Sequence, residues 1–460
     1  MFKKILIANR GEIAVRIIRA CREMDIISVA VCSEADKDAL HAQLADETVC
    51  IGPAQAKDSY LDMERIVGAA MAVGADAIHP GFGFLSENSK FVRMCEKCNV
   101  TFIGPSAEII DKMGNKSEAR KTMMDAGVPV VPGTKEAVYE AEKGKAIADD
   151  MGYPVMIKAS AGGGGKGMRV CYASEEFVHT FDTAKREAEN AFGDGTMYIE
   201  KYIEDPRHIE FQILADKQGN VVHLGERDCS IQRRHQKLIE ESPSPAIDEK
   251  LREEMGQVAV KAAKAAGYYS AGTIEFLKAK DGGFYFIEMN TRIQVEHPVT
   301  EWVTGIDLIR EQIRIAAGHN LTYKQKDIHV RGHAIEVRIN AEDTEHDFRP
   351  SPGTVTNVHF PGGKGVRIDS ALFSGYQIPP YYDSMIAKLI VYDKNRELAL
   401  RKLRNALGEV VLEGIKTNID YQYEIINDAH FIDGDVDTGF IERFQQSRED
   451  NSEDEEEKES

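Results

Sequence analysis

Short apolar runs separated by amphipathic stretches fill the first 110 residues. KKILIAN, ISVAVCS, ETVCIG, DAIHPG and VTFIGP read as strands, while the stretches after Glu12 and near 60–73 carry helical spacing. Strand–helix alternation of this kind predicts a doubly wound parallel sheet. The first turn, NRGEIAVRI, has one glycine and lacks GxGxxG, so a bound dinucleotide is not expected there. From about 115 the texture changes. KSEARKTMMDAG predicts a helix stopped by Gly127, and VPVVPG a linker. YPVMIKAS and GMRVCYAS then flank a run of glycines, followed by a helix through 175–192 and the strand MYIEKYI. HIEFQILADKQGNVVHLGERDCSIQ predicts a hairpin turning at Lys217–Asn220. The helix REEMGQVAVKAAKAAG leads into SAGTIEFLKAKDGGFYFIEMN, a second hairpin. Past Val330, HAIEVRINAED and later β runs form a third region that ends in a helix at 395–408. No repeat recurs at a fixed period.

The segment 284–298, FYFIEMNTRIQVEHP, carries the densest chemistry. In an extended strand, Ile287, Met289, Ile293 and Val295 share one face, and Glu288, Asn290, Arg292, Gln294 and Glu296 the other. The polar face offers oxygen ligands suited to Mg²⁺, a guanidinium suited to a small oxyanion, and a carboxylate able to move a proton. Alternation alone is equally the pattern of an edge strand with a solvated charged face. The apolar FYFI run before it instead suggests a buried strand that delivers polar groups into a cavity. At about 3.3 Å per residue, Glu288 and Glu296 lie roughly 26 Å apart on a straight strand. One metal cannot use both. Either the strand ends near Asn290 and the chain turns, or the segment crosses a long site with metal at one end and proton chemistry at the other. The second, combined with a turn, is the expected arrangement.

The glycine run KASAGGGGKGMRV (158–170) exposes bare backbone N–H groups to which phosphate oxygens can come close. Lys158 and Lys166 supply charge on either side. It is not a Walker A loop, because Gly167 rather than Ser or Thr follows Lys166. A mobile lid over a nucleotide is the natural form. ERDCSIQRRHQK (226–237) is either a basic surface loop or a lining of the same pocket. Glu275 lies across the second hairpin from Glu288, where two carboxylates can clamp Mg²⁺ against phosphates.

At 460 residues the chain has room for two or three domains. No apolar run approaches the roughly 20 residues that span a bilayer, and MFKKILIANRGEIA is not a signal peptide. The 7 cysteines form no disulfide framework, so a reducing cytoplasm is expected. Cys95 and Cys98 lack a second ligand pair and read as helix residues rather than a zinc site. The net charge of −19 includes a tail, 449–460, with eight acids and one lysine. Such a run is normally disordered and solvated. The remainder is still acidic, which argues against nucleic acid as a partner.

Taken together, ILIANRGEIAVRI, HPGFGFLSEN, KASAGGGGKGM, EKYIEDPRHIE, ERDCSIQRRHQK, FIEMNTRIQVEHPVTE, GHAIEVRINAED and PPYYDSMIAKL resemble biotin carboxylase from Met1 to about Phe444. The resemblance implies a multidomain fold of mixed α/β and α+β class. Its parts would be a Rossmann-like (preATP-grasp) domain at 1–114, an ATP-grasp domain at 115–329 with a mobile lid at about 132–203, and a β-rich C-terminal domain at 330–445. The acidic tail would start at 446. It also implies an ATP-dependent ligase that uses Mg²⁺ or Mn²⁺ and bicarbonate, and carboxylates biotin through carboxyphosphate.

By the same resemblance, Lys116 and Lys158 would bind nucleotide phosphates, with Gly163, Gly164 and Gly165 covering them. Glu200, Lys201 and Ile203 would read adenine, and His208, Gln232 and His235 would approach ribose and phosphate. Glu275, Glu288 and Asn290 would hold the metal. Arg292, Gln294 and Val295 would form the bicarbonate pocket. Glu296 would be the general base, Lys237 the cation that stabilises carboxyphosphate, and Arg338 the partner of the biotin enolate. Ala161 stands where the family often has glycine, and Lys166 where it often has arginine. The chain shows no biotinylation motif and no carboxyltransferase region. The expected partners are therefore a separate biotin carboxyl carrier protein and carboxyltransferase subunits, with a homodimer as the expected assembly. Acetyl-CoA carboxylase of fatty-acid synthesis is the expected parent. A split pyruvate, 2-oxoglutarate or acyl-CoA carboxylase is the alternative.

Overall fold

KILI forms β1 (Lys4–Ile7), whose last three residues are buried, as expected of a central parallel strand covered on both faces. It pairs in parallel with β2 (Ile27–Ser33) on one side. With β3 (Glu47–Gly52), β4 (Ala77–His79) and β5 (Thr101–Phe102) the order is β3-β2-β1-β4-β5, the doubly wound sheet the alternation predicts. The strand order reverses at β1. There Asn9 Nδ2 donates to the carbonyls of Pro80 and Phe82, both at 2.7 Å, tying the HPGFGF turn to the β1 end. Gly81 has φ +61°, and a Cβ at that position would lie 2.9 Å from Asn9 Nδ2, so both conformation and space require glycine. Helix α1 (Gly11–Glu23) follows and buries Ile13, Ile17, Ile18 and Cys21 against this sheet region. Cys95 lies in the helix Ser89–Lys97 and Cys98 caps it.

The protein is described by a computed structural model covering residues 1–134, 136–159 and 167–448. Gly163, Gly164, Gly165 and Lys166, to which the sequence assigns phosphate contacts, and the acidic tail from 449 lie outside the described residues. No helix among the described residues is long and apolar enough to cross a membrane. The chain forms two compact units. One holds Met1–Val128, Arg207–Phe276 and the chain from Glu288 onward; the other holds Pro129–Pro206 and Leu277–Ile287.

In the second unit, β6 (Val155–Ala159), β7 (Met168–Cys171) and β8 (Met197–Lys201) form an antiparallel sheet in the order β7-β6-β8. Val155, Ile157, Met197 and Ile199 pack on Phe177 and Phe181 of the helix Phe177–Phe192. The glycine run thus connects two strands, as the sequence indicates.

Eight further strands form a large sheet. Its strands are β9 (Arg207–Ala215), β10 (Val221–Arg233), β11 (Gln236–Ser242), β12 (Ser270–Lys278), β13 (Phe284–Asn290), β14 (His333–Asn340), β15 (Val366–Ser370) and β16 (Met385–Asp393). The order is β13-β12-β9-β10-β11-β14-β16-β15. The expected hairpin joins β9 to β10. The basic run at 226–237 is not a loop. Glu226–Arg233 are the end of β10 and Gln236–Lys237 the start of β11, and the turn between them is Arg234–His235, with φ of 49° and 64° as a two-residue hairpin requires.

Alternation divides this sheet. Ile335, Val337 and Ile339 of β14 and Leu389 and Val391 of β16 join Leu400, Leu403 and Tyr421 in one core. The intervening positions form a charged row on the other face. Glu210 is opposite Arg227, Glu240 opposite Glu336, and Lys388 lies between Arg338 and Asp369. Lys237 joins that row through a bulge. Gln232 pairs with Lys237 while its neighbour Ile231 pairs with Ile239, so Leu238 is an extra residue. The bulge turns Lys237 to the face of Glu240, where plain alternation would have placed it beside Ile239 in the core.

Candidate active site

The stretch 284–298 is not one strand. β13 ends at Asn290, a turn covers 291–296, and helix α2 (His297–Thr304) begins at once. Ile287 is 39% exposed while Ile293 is fully buried, so the expected continuous apolar face does not exist. The turn also replaces the extended separation. Asn290 Nδ2 and Gln294 Nε2 both donate to Glu275 Oε1, at 2.7 and 2.8 Å. Lys237 Nζ lies 3.5 Å from that same oxygen and 2.5 Å from Glu296 Oε1. Groups expected at opposite ends of a long site meet around one ammonium.

Glu296 is 1% exposed, and each of its oxygens has a cation. Lys237 donates to one, and Arg338 Nη2 donates to the other at 2.9 Å. Burial favours the neutral acid, but Lys237, Arg338 and Arg227 outweigh it and hold the Glu296 carboxyl well below its ordinary range. Each cation is shared with a second carboxylate. Lys237 also donates to Glu210, and Arg338 Nε donates to Glu240 at 2.6 Å. Burial lowers the affinity of Lys237 for its proton, yet Cys229, Glu210, Glu275 and Glu296 together raise it well above the usual lysine range. Glu240, with no exposed surface, is pushed up by burial to about 7.

Beneath this pair lies Arg227, also without exposed surface. Its guanidinium donates to Glu210 at 2.5 Å, Gln212 at 2.6 Å, Gln294 at 2.9 Å, Thr300 at 3.0 Å and Thr273 at 3.1 Å. Arg227 thereby ties β9, β10, β12, the turn and α2 together. Replacing it with methionine leaves Glu210 short of a partner in a closed site. We expect Arg227→Met to lose about 3–5 kcal/mol of stability, read as a large fall in the urea midpoint. A midpoint near that of the parent protein refutes the assignment.

The residues expected to hold the metal are neighbours. Burial raises Glu288, the Glu275 charge raises it further, and Lys116 opposes both. Burial likewise disfavours charge on Glu275, but Lys237 and His208 hold it far below the usual range. His208 Nε2 lies 2.9 Å from Glu275 Oε2, and the His208 Nδ1 side meets Gln232 Nε2 at 2.6 Å. Lys116 is exposed at the first position of the helix Lys116–Asp125. Arg292 donates to Glu87 at 2.9 Å, Asn290 at 3.0 Å and the Ile293 carbonyl at 3.2 Å. His235 is exposed at the hairpin turn, and Val295 is half-buried.

In the second unit, Lys158 and Glu200 share a face of the β6–β8 pair and form an ion pair. Lys201 donates to the carbonyls of Gly152 and Tyr153, both at 3.0 Å, and Ile203 is half-buried just beyond β8. Sequence reasoning assigned no role to Glu210, Arg227, Glu240, Glu87 or Lys388. A usable signal was present: a lone charge inside an apolar strand, as in HIEFQ or MIAKLIV, has to meet a partner.

The family model for the biotin carboxylase N-terminal domain matches residues 1–110, and the one for the biotin carboxylase C-terminal domain matches 336–443. Between them, the carbamoyl-phosphate synthase L chain ATP-binding domain matches 115–324. "Biotin carboxylase 1" of Bacillus subtilis is 58% identical over 445 residues, covering 96% of this chain and 99% of that protein. The "2-oxoglutarate carboxylase small subunit" of Hydrogenobacter thermophilus is 53% identical, covering 96% and 93%. The biotin carboxylase domain of that organism's 2-oxoglutarate carboxylase was solved as a dimer with MgADP, ADP and bicarbonate. It superposes with a TM-score of 0.89 at 53% identity, covering 96% of this chain and 98% of that one. The Campylobacter jejuni biotin carboxylase complex with β,γ-ATP gives 0.90 at 51% identity, covering 96% and 99%.

Proposed function

The chain belongs to the biotin carboxylase family, an ATP-dependent ligase family, and from that membership we propose that it carboxylates biotin on a separate carrier protein, using ATP and bicarbonate. The observation that carries the reading is Glu296, buried and bracketed by Lys237 and Arg338. Arg292 offers the guanidinium that orients bicarbonate beside Gln294 and Val295. Glu296 is charged at any working pH and accepts the bicarbonate proton, so that a bicarbonate oxygen can attack the γ-phosphate of ATP. Lys237 then faces the carboxyphosphate so formed. Arg338 pairs with the negative oxygen of deprotonated biotin as CO₂ is transferred. Lys116, Lys158, Glu200, Lys201, Ile203, His208, Gln232 and His235 are assigned to the nucleotide, with Gly163–Gly165 over its phosphates.

The donor set fits a magnesium or manganese ion. Glu275, Glu288 and Asn290 offer oxygens, and the charge of Glu275 raises Glu288, a strain that a shared dication relieves. When bound, such an ion neutralises phosphate charge during transfer.

The ATP-binding region shares its family model with carbamoyl-phosphate synthase, which makes that chemistry the competing assignment. Bicarbonate-dependent ATP hydrolysis that rises severalfold on adding free biotin supports the proposal. Hydrolysis indifferent to biotin, or stimulated by ammonia instead, overturns it. We assign the chain to acetyl-CoA carboxylase, working with carrier and carboxyltransferase subunits as a homodimer in the cytoplasm. Relatives named as subunits of pyruvate and 2-oxoglutarate carboxylases, at 54% and 53% identity, make those the second reading. The carrier protein that co-purifies with the chain decides between them.

A further inference from the structure

Lys388 is the one cation in the run MIAKLIV of β16 and has no exposed surface. A buried ammonium needs both countercharge and hydrogen-bond acceptors. Its Nζ lies 3.2 Å from Glu12 Oε1 of α1 and 3.9 Å from Asp369 Oδ2 of β15. The shortest contact is with neither carboxylate. Nζ donates at 2.7 Å to the carbonyl of Val295, the residue before Glu296. Asp369 is already held by Arg367, through bonds of 2.9 and 2.7 Å. Neutralising acids is therefore not the whole reason for a lysine here.

Register explains what the contact does. Lys388 is directly opposite Arg338 on the paired strands β14 and β16, on the same face. Two cations rooted side by side reach two consecutive residues, Arg338 the Glu296 side chain and Lys388 the Val295 carbonyl. Val295 lies in the turn between β13 and α2, where no strand pairing holds the peptide. The orientation of the Val295–Glu296 peptide sets the direction in which the Glu296 side chain leaves the backbone. A charged donor gives that peptide a stronger anchor than a neutral one.

We propose that Lys388 is a positioning residue, which fixes the Val295 carbonyl and so aims the Glu296 carboxylate between Lys237 and Arg338. The proposal rests on the reading of Glu296 as the proton acceptor. Glu12 and Asp369 hold the ammonium in place, while Glu336, two residues before Arg338 on β14 and on the same face, is held by burial well above the ordinary carboxyl range.

The test compares Glu12→Gln with the double variant Glu12→Gln/Lys388→Met, so that loss of the lysine leaves no unpaired charge at Glu12. The double variant is expected to lower kcat of biotin-stimulated, bicarbonate-dependent ATP hydrolysis by about 10- to 100-fold. KM for ATP and the melting temperature are expected to stay near those of Glu12→Gln. Equal kcat in the two variants overturns the proposal. So does a fall in kcat matched by loss of ATP affinity or of the fold, because Lys388 then serves the structure as a whole. Parent protein that biotin does not stimulate refutes the functional reading itself, a result separate from all of these.

Discussion

Glu296→Gln is expected to lower biotin-stimulated ATP hydrolysis by about 10²–10⁴-fold, the range for loss of a general base. The amide fills the same space between Lys237 and Arg338 but accepts no proton. ATP affinity is expected to change little, because the acid pair nearest the expected metal, Glu275 and Glu288, is left intact. Residual activity above a tenth of the parent rate sinks the assignment. The substitution also has a pH signature. Glu296 has a folded pKa below its unfolded value, so its ion pairs contribute fully above about pH 4.3 and are lost as pH falls towards the folded value. The glutamine variant lacks that contribution at every pH. Its stability deficit should therefore be largest near neutrality and shrink in acid, as followed by urea midpoints from pH 7 down to pH 3. A deficit that grows in acid contradicts the ion-pair assignment.

Arg338→Ala should abolish most carboxylation of biotin while sparing nucleotide binding. The guanidinium is the charge available to a biotin enolate, and losing one such donor costs about 10²–10³-fold. Labelled bicarbonate incorporated into free biotin reads the first effect, and calorimetric ATP titration the second. The side chain also links Glu240 and Glu296. Without it, both carboxylates lose their shared cation, and Glu240, already pushed up to about 7, moves further towards the neutral acid. Parallel loss of ATP binding and carboxylation means that Arg338 serves the fold and not the chemistry.

Much of this molecule was legible along the chain. Alternating strands and helices specify the N-terminal parallel sheet, and the turn at 217–220 specifies the β9–β10 hairpin, because both depend on local periodicity and turn residues. The strand flanks of the glycine run were equally visible. The family motifs named candidate site residues, and the structure joins Lys237, Glu275, Asn290, Arg292, Gln294, Glu296 and Arg338 in one hydrogen-bonded cluster, with His208 and Gln232 attached through Glu275.

The length estimate already offered a strand end near Asn290 with a turn after it, but the path of that turn was not legible, because TRIQVEHP alternates as a strand does. Burial of Ile293 in the core shared with α1, and the immediate start of α2, bend the chain there. The bulge at Leu238 was invisible for a similar reason. KLIEES alternates acceptably in either register, and only pairing with β10 on one side and β14 on the other selects the one that faces Lys237 towards Glu296. Arg227, Glu240 and Lys388 come from strands far apart in the chain. Their meaning as one charged row depends on strand order, which no local pattern encodes.

By itself, then, the sequence determined which segments become strands and helices and which motifs hold the chemistry-bearing side chains, since local periodicity, turn propensity and motif spacing act over a few residues. Tertiary structure alone decided that Glu296 sits between two cations and that Lys388 reaches the carbonyl before it. Those contacts join residues up to 93 positions apart, and they form only when sheet order and register bring buried charges to partners that offset their desolvation.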